Sequence, residues 1–147
     1  MSRPRWVVPA TFAISIASTA VSTYLTIAHF TSPKVLACAS TGVVNCERVT
    51  TSAQSEVLGV PVALLGLAWS LAMCALFSPW AWRSAAPWIP TARLAAVTVA
   101  MAFVLWLVYA ELFMIRAICL WCTVVHVLAF ALFVIVVFYG TEAAEEG

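Results

Sequence analysis

Apolar residues in this chain do not alternate with polar ones; they run on without a break in four stretches. These extend from Val7 to His29, Val57 to Phe77, Leu94 to Ile115 and Ile118 to Tyr139. Each is near the ~20 residues that carry a helix across ~30 Å of hydrocarbon. Backbone amides cannot go unpaired in lipid, so such runs form helices or strands of a closed barrel. The lack of a two-residue period selects helices. Arg3 and Arg5 ahead of the first run resemble the start of a signal peptide. That run, however, is longer than a signal core and has no clear small-residue cleavage site. Its Ser15, Ser18, Thr19, Ser22, Thr23 and Thr26 recur at three- and four-residue spacing, which predicts a retained helix packed closely on its neighbours.

The connections are unequal. Phe30 to Glu56 is a long loop rich in Cys, Gly, Asn, Ser and Thr, whereas only Arg116 and Ala117 separate the last two runs. The middle link carries Pro79, Trp80, Trp82, Pro87, Trp88 and Pro90. Pro61, one turn inside the second run, is either the first-turn residue of that helix or a kink.

Composition agrees with the pattern: 65% of the 147 residues are hydrophobic and 9% charged, too few to solvate a globule of this size. A net charge of +1 leaves no basic face for nucleic acid. The expected partner surface is the lipid bilayer, and residues 1–147 read as a single transmembrane domain. Arg3, Arg5, Arg83 and Arg93 fall on one side of the membrane, Lys34, Arg48 and Arg116 on the other. By the excess of positive charge, both termini lie inside; the acidic tail (Glu142, Glu145, Glu146) weighs little in this rule. Trp6, Trp80, Trp82 and Trp88 are expected to form an interfacial belt on the inner side.

Four alternating spans place the first loop and the start of the fourth span on the same face, whichever face that is. Cys38 and Cys46 lie in that loop, and Cys119 and Cys122 open the fourth span. Cys74 lies near the other end of the second span and reads as a small buried hydrophobe. The C-x-x-C of Cys119 and Cys122 puts two sulfurs on one face of a helix start. There, unpaired N–H groups and Arg116 favour a thiolate. Haem attachment would need His where Thr123 stands. Zinc would need shorter ligand spacing than the loop pair has, so no metal site is expected. The loop pair is either a structural staple or the first half of a relay that exchanges electrons with the helix pair.

These residues resemble the vitamin K epoxide reductase (VKOR) family in its bacterial branch, thiol–quinone oxidoreductases akin to DsbB. The resemblance rests on the C-x7-C of the loop, on Asn45, Cys46, Glu47, Arg48 and Val49, and on Ser52. Gly59, Val60, Pro61 and Gly66 follow around the second span, and then the C-x-x-C opening the fourth. DsbB-type oxidases carry their C-x-x-C in the first outward loop, whereas here it belongs to the second. The resemblance implies an all-α, integral membrane four-helix bundle around a quinone of the menaquinone or ubiquinone type, capped by the cysteine loop facing outward. It implies that Cys38 meets the partner's dithiol, that Cys46 passes electrons to Cys119, and that Cys122 stands beside the quinone. It also places Ser52 near the ring. The implied donor is a separate periplasmic or extracytoplasmic DsbA-like protein of thioredoxin fold, and the implied location is the cytoplasmic (inner) membrane of a bacterium.

Two departures from the animal members stand out. Their Tyr four residues after the second cysteine of the C-x-x-C is His126 here, and no Asn or Gln occurs from Glu56 through Cys122. His126 is either a hydrogen-bond donor and proton source for the ring or a packing histidine bonded to a neighbouring helix. Glu111 is either a proton route to the quinone or the partner of Arg116 or Arg48; the ion pair is favoured because shallow charges at helix ends are common. His29 reads as interfacial. Trp121, Tyr109 and Phe113 are candidates to line the ring pocket. Two other functions remain open: reduction of vitamin K epoxide, and a non-catalytic membrane protein with structural or metal-binding cysteines.

Overall fold

The computed structural model describes residues 3–140, so the acidic tail at Glu142, Glu145 and Glu146 lies outside the described part. The chain runs through α1 (Val7–Phe30) and a loop containing the short α2 (Cys46–Thr50). A two-residue-strand hairpin, β1 (Glu56–Val57) with β2 (Val60–Pro61), leads into α3 (Val62–Leu76). After it come α4 (Pro79–Arg83), α5 (Trp88–Tyr109), a π turn over Ala110–Ile115, and α6 (Leu120–Tyr139). The protein is all-α apart from the hairpin. Three helical segments are long and apolar enough to cross a membrane: Val7–Phe30, Trp88–Ile115 and Leu120–Tyr139. Exposed side chains such as Val99, Leu105, Val127 and Phe138 on these helices have lipid as their apolar solvent.

The boundaries differ from the hydropathy pattern where turns hide inside apolar sequence. The second helix begins at Val62 and not at Val57, because Leu58 and Gly59 take φ of 53° and 78° and close the hairpin. Pro61 has no N–H to give a helix and stands just before the first turn; it is not a kink. At 15 residues, α3 reaches about 22 Å, less than a full hydrocarbon layer. The third helix starts six residues early, at Trp88, with Pro90 in its first turn where a missing N–H costs nothing.

That early start also corrects the charge map. Arg93 is a buried helix residue and not a loop cation: its Nε donates to Leu76 O at 2.9 Å, capping the end of α3. Its guanidinium lies 3.5 Å from the Trp82 ring centroid. Arg3 covers the same ring at 4.3 Å. Trp82 is therefore withdrawn from the expected belt, while Trp6, Trp80 and Trp88 remain exposed. Beside it Met73, Phe77, Val97, Leu132 and Val136 fill the inner core.

The small residues of α1 act as the spacing suggested. Thr11, Ser15, Ser18 and Ser22 are buried, so α1 and α3 approach closely. Ser18 and Ser70 share a hydrogen bond of 3.0 Å between their hydroxyls. Trp69 ties α3 to α5 by donating its indole N–H to Ala96 O at 3.3 Å.

Candidate redox site

The cysteine loop is pinned onto the start of α6 by backbone pairing. Asn45 N–H donates to Ile118 O at 3.1 Å and Ile118 N–H donates to Val43 O at 2.9 Å. The Asn45 side chain accepts from Arg48 N–H at 2.9 Å and so caps α2, fixing Cys46 at its first position. Two aromatic residues hold the stretch before Cys38. Tyr24 O–H donates to Val35 O at 2.8 Å and accepts from Ala37 N–H at 3.0 Å. Trp121 donates to Ala37 O at 3.2 Å and packs edge-on against Tyr24.

This clamp brings four cysteines together. Cys38 and Cys46 form a disulfide, Cys38 half-buried and Cys46 buried. Cys119 and Cys122 are free thiols, and Cys46 and Cys119 share one core cluster with Leu25, Ala28, Val49 and Ile115. Cys74 lies apart, 3.4 Å from Thr19 Oγ1. The motif explains the local fold at Cys119, which stands just before α6 with its sulfur accepting the Cys122 N–H at 3.2 Å. The Cys122 side chain, donating to the Cys119 sulfur, holds that thiol below its ordinary pKa. Burial opposes this, the Cys122 backbone N–H adds to it, and the Glu111 charge opposes it.

Below the loop is a cavity of about 310 Å³ whose walls come from all four of α1, α3, α5 and α6. Cys122 lies on its wall. Most of the lining is apolar, including Leu25, Val62, Trp69, Phe103 and Leu107. Polar groups gather from the loop and helix ends: Ser52 and Gln54 from the loop, His29, Glu111 and His126 from the helices. The volume and the few convergent polar groups are those of a small-molecule site.

Of the residues expected beside a bound ring, Ser52, Glu111 and His126 line this cavity. Ser52 also donates its hydroxyl to Val49 O at 2.7 Å. Trp121 is not in the lining; its indole serves the loop clamp instead. Tyr109 and Phe113 stack on each other and are exposed, away from the cavity. The favoured ion pair of Glu111 does not form. The carboxylate is buried, and among the described residues the only charged contact is His29 Nε2 to Glu56 Oε1 at 3.9 Å. His126 is buried on the cavity wall and makes no hydrogen bond to a neighbouring helix among the described residues. Tyr24 and Gln54 were not singled out from sequence, and His29, read there as interfacial, lies in the cavity wall. For Gln54 the only signal was its position two residues after Ser52.

A helical membrane protein that sets a disulfide beside a dithiol, with one thiol on the wall of an apolar cavity, is a membrane redox protein. The family model of the vitamin K epoxide reductase family matches residues 9–137, most of the chain, and the protein belongs to that family. Its members are oxidoreductases. No curated protein matches the chain.

Proposed function

We propose that the protein is a thiol–quinone oxidoreductase that reoxidises an extracytoplasmic donor of thioredoxin fold. In this reading α1, α3, α5 and α6 form a four-helix bundle in a bacterial cytoplasmic membrane, with the cysteine loop outward and both termini inside. The observation that carries the reading is Cys122: its sulfur lines the cavity while its neighbour Cys119 packs in one cluster with Cys46.

The half-buried Cys38 is the sulfur a partner thiolate can reach. Its attack opens the loop disulfide and frees Cys46, which lies where it can exchange with a Cys119–Cys122 disulfide. The partner's second thiol then closes its own disulfide and releases Cys38, which displaces Cys119 from Cys46; the partner and the loop end as disulfides and both electrons rest on the Cys119–Cys122 dithiol, matching the pairing of the structure. Cys119, kept toward the thiolate by its neighbour, is suited to exchange, and Cys122 presents electrons to the cavity.

A quinone fits these walls: apolar residues for its ring and tail, with His126 and Gln54 as hydrogen-bond donors for its two oxygens and Ser52, its hydroxyl given to Val49 O, beside them. When bound it supplies the two-electron acceptor of either the menaquinone or ubiquinone type. His126, with no hydrogen-bond partner among the described residues, is suited to give a hydrogen bond there.

Gln54 supports a second reading. It brings to the cavity an amide that α3 lacks, and with His126 it could hold the oxygens of vitamin K epoxide. The test is oxidation of a reduced thioredoxin-fold protein by the purified chain, with a short-tailed quinone or the epoxide as acceptor. Turnover with quinone alone supports the first reading, and epoxide reduction supports the second. Metal bound at the cysteines with no turnover would leave only a structural role.

A further inference from the structure

The redox chemistry proposed above needs protons as well as sulfurs. Oxidising a donor dithiol to a disulfide releases two electrons and two protons at the aqueous surface. Turning a quinone into its hydroquinone takes up two electrons and two protons inside the membrane. The four cysteines account for the electrons. The Cys122 thiol, on the cavity wall, can bring one proton, but Cys119 reacts as a thiolate and brings none, so the cavity needs a separate supply for the second.

The structure contains a passage of the right chemistry. A second, polar pocket of about 330 Å³ lies at the outer end of the apolar cavity, and the two share His29, Thr50, Ser52 and Ser55 in their walls. Glu56 lines only the outer pocket, and its side chain is 53% exposed to solvent against 20% for His29. The carboxylate is 3.9 Å from the imidazole. His29 is thus the one titratable side chain with an edge in both spaces among the described residues. Inside the cavity the titratable groups are Cys122 and His126 from α6 and Glu111 from the π turn after α5.

We propose that His29, with Glu56 at its outer edge, is the inlet through which protons pass from the aqueous pocket into the apolar cavity. An imidazole suits this task because its two nitrogens can take a proton on one side and release it on the other. Glu56 gathers protons from water and steadies the imidazolium while it is charged. The hydroxyls of Ser52 and Ser55 lie along the same wall, although both already donate to backbone carbonyls. This inference rests on the oxidoreductase reading, and its test separates the two.

The experiment uses the full chain in lipid nanodiscs, with a reduced thioredoxin-fold donor and a short-tailed ubiquinone as probes. His29→Phe should slow quinone reduction about tenfold and enlarge the solvent deuterium isotope effect. Opening of the Cys38–Cys46 disulfide by the donor, measured without quinone, should keep its rate. Glu56→Gln, outside the cavity and safe for folding, should slow turnover less and shift its pH profile. A readout independent of turnover is carbethoxylation of the quinone-free protein by diethylpyrocarbonate, read by mass spectrometry: His29 should react well before His126. Unchanged turnover and isotope effect in both variants would overturn the proposal, as would an unreactive His29. Equal loss of disulfide opening and quinone reduction in His29→Phe would assign the residue to loop packing and overturn it too. Failure of the unaltered protein to reduce quinone, with His29 reactive, would instead sink the oxidoreductase reading.

Discussion

The two ends of this molecule handle polar groups in opposite ways. At the end away from the cysteines a full guanidinium is buried: Arg93 Nε donates to Leu76 O and the group lies over Trp82 and Phe77, while its Nη2 and the Trp82 indole N–H are buried without a hydrogen-bond partner among the described residues. At the cysteine end Glu111, His126 and Cys122 line a hollow, with the Cys122 thiol also bonded to the Cys119 sulfur. At the Arg93 end the bonded polar atoms tie α3 to α5 inside a filled core. At the cysteine end the polar side chains face an open hollow instead, which is what a site that must bind and react requires.

Substitutions should separate these ends. The largest effect is expected at the sulfurs: Ser at Cys38, Cys46, Cys119 or Cys122 should lower quinone-dependent donor oxidation by about a hundredfold or more, with little change in thermal unfolding. Cys74→Ser should leave turnover intact. Full activity in Cys38→Ser would break the relay and with it the functional half of the contrast.

Arg93→Ala is the mirror experiment. It removes a charged hydrogen bond and a cation–π contact and should destabilise the protein by on the order of 2 kcal/mol, read as an earlier melt in detergent. Turnover per folded molecule should hold. Trp121→Phe should be milder. Losing the bond to Ala37 O costs about 1 kcal/mol, so transfer from Cys46 to Cys119 should slow about fivefold while small dithiols open the loop disulfide faster.

The thiolate prediction concerns a titration. Because the Cys122 side chain is the main cause of the low Cys119 pKa, Cys122→Ala should move the thiolate absorbance of Cys119 to higher pH, in a Cys74→Ser background. Movement to lower pH would show that burial and not the neighbour governs the sulfur. The smallest effect belongs to Ser18→Ala, where one inter-helix hydrogen bond is worth roughly 0.6 kcal/mol in a membrane interior.

Much of the outer end was legible in sequence because it follows from parity. Alternating helices force Cys38 and Cys46 onto the face of Cys119 and Cys122, and no packing detail can undo that. The small residues of α1 were legible for a similar reason: their spacing matches the helical period. What escaped depended on local chain geometry or on side chains meeting across elements. The stretch Val57 to Pro61 is apolar enough to pass for helix, and only the left-handed Leu58 and Gly59 reveal a turn. Glu111 was set against Arg116 or Arg48 because shallow charges at helix ends commonly pair, whereas the π turn over Ala110–Ile115 widens the helix and Arg116 leaves it with φ of 57°. Arg93 looked like a loop cation because its ring partners, Trp82 and Phe77, come from the preceding link and helix.

One consequence follows from the complete burial of Cys119 beneath a loop whose disulfide reaches half into solvent. Small thiols can meet Cys38 but not Cys119, while Cys122 lies on the cavity wall. The loop therefore works as insulation around Cys119. If the proposed relay operates, a reductant must engage the loop before its electrons reach Cys119.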